Sequence, residues 1–327
     1  MSRVHASRRH LSGLALVSGL LLAMSGCRPS DAPRTLPAPP AAPCPSMAPT
    51  VAASAAAPAA PPAPPPAEPA WHQPPHESFT LASQHLGEAR RIKLYTPPGY
   101  SDSTASFPVL YMLDAGDADD LPHPHLLATV DEAVRSGEVR PVIVVGIENT
   151  ERRRDMTGPT LVESDRKIAP RVGGSGPFRA FIREELMPEI RRRVRTNGKN
   201  AIIGESLAGL FVVETFFVEP GLFDTHIAVS PSLWWNDRAL VRASEAWMKA
   251  HANVRDTLVL ARAGDDDIGE SIATLGATLR TSAPRGLTWS YEPRSDLRHA
   301  TIYEAVAPAV LRRVLSPPAA PPRSRAP

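Results

Sequence analysis

The chain of 327 residues predicts a three-layer α/β domain with a mostly parallel central sheet. Three observations carry that expectation. Strand-like and helix-like segments alternate from about residue 77 to residue 315. Two of the strand segments, Pro108–Leu113 (PVLYML) and Pro141–Ile147 (PVIVVGI), are unbroken apolar runs, as expected of strands buried on both faces. A third short strand runs straight into an apolar helix through Gly204-Glu205-Ser206-Leu207-Ala208-Gly209.

The elements follow in order. Glu77–Gln84 and Arg90–Thr96 alternate apolar and polar residues, the mark of antiparallel strands with one wet face. Leu126–Arg135 has helical spacing between the two apolar strands, and Phe178–Val194 is a second amphipathic helix. Asn200–Gly204 is a strand and Leu207–Val218 a helix. Strands at Thr225–Ser230, Thr257–Ala263 and Thr288–Glu292 then alternate with helices at Arg238–His251, Ile268–Arg280 and Ala300–Val314. The long polar stretch 150–175 reads as a loop over the site, a candidate lid. No internal repeat is visible.

The chain ends read differently. Residues 1–26 combine a basic start (Arg3, Arg8, Arg9) with an apolar run from Leu11 to Met24, too short to span a bilayer and suited to a signal peptide. Met24-Ser25-Gly26-Cys27 is similar to the lipobox of bacterial lipoproteins, which makes Cys27 the expected lipidation site; cleavage near Gly26 without lipidation is the alternative. Residues 27–76 hold nearly half of the 37 prolines, mixed with alanine. Such a segment cannot bury enough surface to offset its ordering entropy, so a semi-rigid, disordered linker is expected. Residues 316–327 read as a disordered tail. A lipid anchor on a spacer would place the 77–315 domain in the bacterial cell envelope, on the periplasmic or outer-membrane face. Without lipidation it would be secreted.

Composition narrows the partners. A net charge of +2 and a pI of about 8.7 are too weakly basic to argue for nucleic acid. The only cysteines are Cys27 and Cys44, so the folded domain holds neither a disulfide nor a thiolate metal site.

The chemistry centres on Ser206. A sharp strand-to-helix turn needs small neighbours, and Gly204 and Ala208 stand two residues before and after the serine. A neutral serine needs a base, and the expected order is serine, acid, histidine. His226 comes too early in that order, and His251 ends a helix where it can cap carbonyls. His299 follows a strand through a short loop and is the expected base. Asp267 is the preferred acid, with Asp265, Asp266, Glu270 and Asp296 left open. The Leu207 amide, at the start of a helix, would donate to an oxyanion, with a second donor from Ala115 or Gly116 in the turn after PVLYML.

Several segments carry a resemblance. Phe107–Asp114 is similar to a "PVLYLLDG" strand, and Gly146–Thr150 with Arg154–Thr157 to a "GI-NT…RDLTP" segment. Phe178–Ile190 resembles a helix ending in "EELIP", and Ser230–Trp235 an "SPSLWW" run. With the serine turn, these make the chain resemble the Putative esterase family of α/β-hydrolases, in its enterochelin-esterase-like branch. The resemblance spans roughly Phe79 to Val310 and implies an α/β-hydrolase fold. It also implies hydrolysis of carboxylic esters through an acyl-enzyme, with no metal or organic cofactor. Members of this group cleave siderophore, acyl or feruloyl esters, and a related branch transfers mycolyl groups. The substrate implied is a small-molecule ester, anionic if a siderophore. Arg154 is implied as a contact to an anionic ligand and Trp234 and Trp235 as pocket walls; ion pairing of Arg154 with Asp155, and core packing of one tryptophan, are the alternatives. Two other functions stay open: acyl transfer to an alcohol on the same machinery, and non-catalytic surface binding of an anionic ligand.

Overall fold

A computed structural model of the chain describes residues 73–116, 125–264 and 268–316. The expected signal peptide, Cys27, nearly all of the linker, Asp265, Asp266, Asp267 and the tail from residue 317 lie outside the described residues.

Eight strands form one sheet: β1 (Glu77–Ser83), β2 (Glu88–Tyr95), β3 (Phe107–Met112), β4 (Ile143–Ile147), β5 (Thr196–Glu205), β6 (Thr225–Val229), β7 (Thr257–Ala263) and β8 (Thr288–Arg294). Their order is β1-β2-β4-β3-β5-β6-β7-β8. The pairs β1–β2 and β2–β4 are antiparallel and every other pair is parallel. The alternating sequence segments are therefore the antiparallel edge, and the unbroken apolar runs are central strands.

Side-chain alternation explains those runs. Val109 and Tyr111 of β3 and Ile143, Val145 and Ile147 of β4 point into one apolar cluster. Leu110, Met112 and Val144 point into the other. A strand between two helical layers needs an apolar residue at every position, because successive side chains leave opposite faces.

Helices α1 (Leu126–Arg135) and α9 (His299–Val314) cover one face of the sheet. The other carries α4 (Ser175–Ala180), α5 (Met187–Arg193), α6 (Leu207–Val218), α7 (Trp235–Ala250) and α8 (Ile268–Ser282). Two one-turn helices, α2 (Arg152–Asp155) and α3 (Glu163–Arg166), lie within the expected lid. Helix α6 is apolar except at Glu214 and Thr215, which bond Ser175 and Arg179, and is buried from Leu207 to Phe217, as befits a helix in the core. Between α4 and α5 the chain widens into a π turn, Phe181–Leu186. Pro188, in the first turn of α5, has no N–H for the carbonyl four residues back, and its ring would clash there. The wider turn relieves both problems, so the single helix expected over Phe178–Val194 is an interrupted one.

The segment 150–175 is braced rather than loose. Arg166 donates twice to the Thr160 carbonyl, Thr160 bonds Asp165, and Asp165 accepts the Asn236 amide at 2.8 Å. The Trp235 indole N–H donates to the Gly158 carbonyl at 2.9 Å.

Candidate active site

All the chemistry-bearing segments leave the carboxyl ends of strands, where open α/β sheets hold their ligands. Ser206 follows β5 directly and has φ 58° and ψ −118°. For a residue with a Cβ this backbone is strained by about 1–3 kcal/mol, and the surroundings hold it there. Its amide donates to the Val229 carbonyl at 3.1 Å, and its carbonyl accepts from the amides of Leu210 and Ser232, each at 2.9 Å. The turn is tight enough that a Cβ on Gly204 would stand 2.7 Å from the Cβ of Ala208. Small residues at these two positions are a steric requirement.

His299 is the first residue of α9, one position earlier than the sequence pattern placed that helix. Its Nε2 lies 3.1 Å from Ser206 Oγ, and its Nδ1 lies 2.9 Å from Ser230 Oγ. In the tautomer that accepts the Ser206 proton, Nδ1 carries the hydrogen and donates to Ser230. The histidine loop is seated by Gly264 at the end of β7. The Gly264 amide donates to the Leu297 carbonyl at 2.9 Å, and a Cβ on Gly264 would meet the Ser295 carbonyl oxygen at 2.5 Å.

The other histidines are engaged elsewhere. His226 is buried and bonds the Phe223 carbonyl, and His251 bonds the Trp247 carbonyl and stacks on its ring.

Of the acid candidates, Asp265, Asp266 and Asp267 lie outside the described residues. Asp296 accepts two bonds from Arg294, which holds its carboxyl below the usual range. Glu270 pairs with Arg238. Two hydroxyls not among the sequence candidates also stand beside the Ser206–His299 pair. Ser230, fully buried with φ 41°, meets His299, and Ser232 Oγ lies 3.3 Å from Ser206 Oγ. The Ser230–Trp235 run marked their segment, but nothing in its spacing shows that these hydroxyls face the pair.

The oxyanion candidates separate. Leu207 opens α6, and the first amides of a helix have no acceptor within it. Ala115 is corrected: its amide donates to the Ile147 carbonyl at 3.2 Å, extending the β3–β4 pairing by one bond. Gly116 then supplies the next amide in that turn.

Arg154 makes the ion pair named as its alternative role. Its guanidinium donates to both Glu88 oxygens, at 3.1 and 2.7 Å, and to Asp155 at 2.7 Å. Asp155 and Arg90 are both fully buried and also pair with each other. The Arg154 bond draws the Glu88 pKa down to about 2. Arg154 is thus a brace between β2 and α2, forming part of a cleft wall while its donors are spent inward. Arg152 is the arginine that reaches the serine turn: it chelates Asp114 and touches the Glu205 carbonyl. Trp235 is core, 4% exposed, while Trp234 is partly buried and packs edge-on against it.

The chain is similar to known proteins over most of the described domain. A family described as "Putative esterase" matches residues 83–297. The ferri-bacillibactin esterase BesA of Bacillus subtilis is 29% identical over 249 residues, covering 68% of this chain and 82% of its own. The crystal structure of an IroE-like serine hydrolase from Shewanella oneidensis superposes with a TM-score of 0.67 at 27% identity, covering 74% of this chain and 80% of that one. The BES protein from Bacillus cereus, at 22% identity, shares the fold with a TM-score of 0.66, covering 77% of this chain and 99% of its own. The family match takes in the serine turn and runs up to the histidine loop, and the chain belongs to the Putative esterase family of α/β-hydrolases: it is an esterase.

Proposed function

We propose that Ser206 is the nucleophile of a siderophore-type ester hydrolase working through an acyl-enzyme. The observation that carries this is the 3.1 Å contact between Ser206 Oγ and His299 Nε2 at the carboxyl edge of the sheet. Ser206 Oγ attacks the ester carbonyl as its proton passes to His299. The amides of Leu207 and Gly116 hold the oxyanion. His299 returns the proton to the leaving alcohol, and water, deprotonated by His299, then releases the acid.

The substrate class draws support from two sides. BesA is by name a ferri-bacillibactin esterase, and an iron(III) salmochelin esterase of Escherichia coli is 25% identical over 195 residues, covering 55% of this chain and 43% of its own. A cleft of about 620 Å³ is lined by Glu151, Arg152, Arg153, Arg154 and Arg171, among others, and Arg152 links it to the serine turn through the Glu205 carbonyl. Arg153, whose guanidinium bonds only the Ile168 carbonyl among the described residues, and the exposed Arg171, which pairs with Glu151, give it a rim with more arginines than carboxylates, suited to an anionic catecholate or hydroxamate ester. The enzyme is tethered to the cell envelope through an acylated Cys27, which metabolic labelling with a fatty acid would register.

The test is hydrolysis of p-nitrophenyl acetate and of ferric and iron-free siderophore lactones by wild type and Ser206→Ala. Wild type should turn over, and loss of the nucleophile should remove activity by about 10³-fold or more. Equal activity in the two proteins would discard Ser206 as nucleophile. Turnover of simple esters alone would discard the siderophore assignment.

A further inference from the structure

The two halves of the oxyanion site come from different strands, Gly116 from the turn after β3 and Leu207 from the turn after β5. One side chain, Arg152, touches the residue two positions before each of them: the Asp114 carboxylate and the Glu205 carbonyl. Asp114, the residue just before the Ala115–Gly116 turn, sits in left-handed backbone with φ 57°. Its carboxylate is almost wholly buried and receives three bonds: Arg152 Nε and Nη2, each at 2.8 Å, and Asn149 Nδ2 at 2.6 Å. The same Arg152 Nη2 lies 3.3 Å from the carbonyl oxygen of Glu205, the residue before Ser206. A planar guanidinium can chelate a carboxylate and still reach a carbonyl; a lysine ammonium lacks that fork. Burial works against the charge of Arg152, but the hydrogen bond and charge of Asp114 outweigh it and raise the pKa, so the clamp stays charged.

We propose that Arg152 is a positioning residue that sets the spacing of the Gly116 and Leu207 amides, acting through Asp114 on one side and the Glu205 carbonyl on the other. The proposal rests on the esterase reading of Ser206. Oxyanion donors stabilise a transition state only when they stand about 2.7–3.1 Å from the developing charge. Left-handed backbone at a residue with a Cβ persists only where neighbours over-determine it. Without its clamp, Asp114 relaxes toward ordinary backbone and carries Gly116 out of range. Arg152 thereby serves transition-state binding rather than recognition of the substrate. The exposed Arg153 and Arg171 belong to the cleft rim and lie outside this device.

The experiment compares wild type, Ser206→Ala, Arg152→Gln, Arg152→Lys, Asp114→Asn and the double variant Arg152→Gln/Asp114→Asn. The probes are a neutral ester, p-nitrophenyl acetate, and phenylboronic acid, whose tetrahedral adduct on the serine mimics the oxyanion. Arg152→Gln should lower kcat about 100-fold while KM changes by less than about threefold. The boronate inhibition constant should rise in step with the loss in kcat, and Arg152→Lys should fall between wild type and Arg152→Gln. Asp114→Asn should resemble Arg152→Gln, and the double variant should be no worse than either, since both break one device. A kcat for Arg152→Gln within about twofold of wild type overturns the proposal. So do losses that multiply in the double variant, or an effect confined to KM for anionic esters. If Arg152→Gln does not fold, Arg152→Lys and Asp114→Asn decide by the same criteria. Wild type no more active than Ser206→Ala would instead remove the esterase reading, and this proposal with it.

Discussion

Arg152 and Arg154 stand two residues apart on one turn of α2, and they end in opposite places. Arg152 turns toward the serine, chelating Asp114 and touching the Glu205 carbonyl. Arg154 turns toward the sheet edge, where Glu88 and Asp155 accept from it and also pair with the buried Arg90. Successive residues of a helix point about 100° apart, so two residues separate these side chains by roughly 200°. The difference teaches that a basic run beside an active site is not one functional unit. One arginine governs the site, while its neighbour holds the platform on which the first one stands.

The largest effect that would sharpen this contrast is on stability. Asp155→Ala removes the shared acceptor and leaves the buried Arg90 with Glu88, the Glu148 carbonyl and the face of the Phe178 ring. Breaking a buried pair from one side costs about 3–5 kcal/mol. Urea unfolding should show a loss of that order, while the folded fraction keeps near-normal kcat on a neutral ester. A normal urea midpoint would mean the brace carries little weight.

Next in size is a loss confined to the opposite wall of the site. Gly264→Ala drives a methyl into the Ser295 backbone and pushes the loop that presents His299. A displacement near 1 Å at a reacting group costs about 100-fold in rate, so kcat should fall by that order with both arginine clusters intact. Unchanged kcat would show that the loop yields without moving the imidazole.

The smallest effect is on acid stability. The Arg154 hydrogen bond holds Glu88 at about 2, below the 4.5 of a free glutamate. A depressed carboxyl stabilises the fold above its unfolded pKa and loses that contribution as pH falls through the folded value. Wild type should therefore lose stability between about pH 4.5 and pH 2 more steeply than Arg154→Met. Parallel stability–pH curves for the two proteins would break the assignment of Arg154 as the partner that matters.

Much of the architecture was legible because it depends on repeating local patterns. The apolar runs around Val109–Met112 and Val142–Ile147 placed the buried strands, and two alternating segments placed the antiparallel edge. The serine turn was legible because sterics demand small residues at positions 204 and 208. His299 was legible from its place in the order of elements. The interruption of the Phe178–Val194 helix was not foreseen, although Pro188 held the clue, since proline removes the bond four residues back. The braced state of 150–175 was equally hidden, because Trp235 and Asn236 pin it from more than seventy positions away along the chain.

By itself, then, the sequence determined the layered α/β class, the strand-turn-helix at Ser206 and the choice of His299 over His226 and His251. These follow from side-chain period, local sterics and chain order, all of which act over a few residues. Only the tertiary structure decided that the Ala115 amide belongs to the sheet, that Ser230 and Ser232 face the Ser206–His299 pair, and that Arg152 rather than Arg154 meets the serine turn. Each of those contacts joins segments from separate strands. Its partner is chosen by how the sheet and helices bring distant backbone together, and no local pattern in one segment records the position of the other.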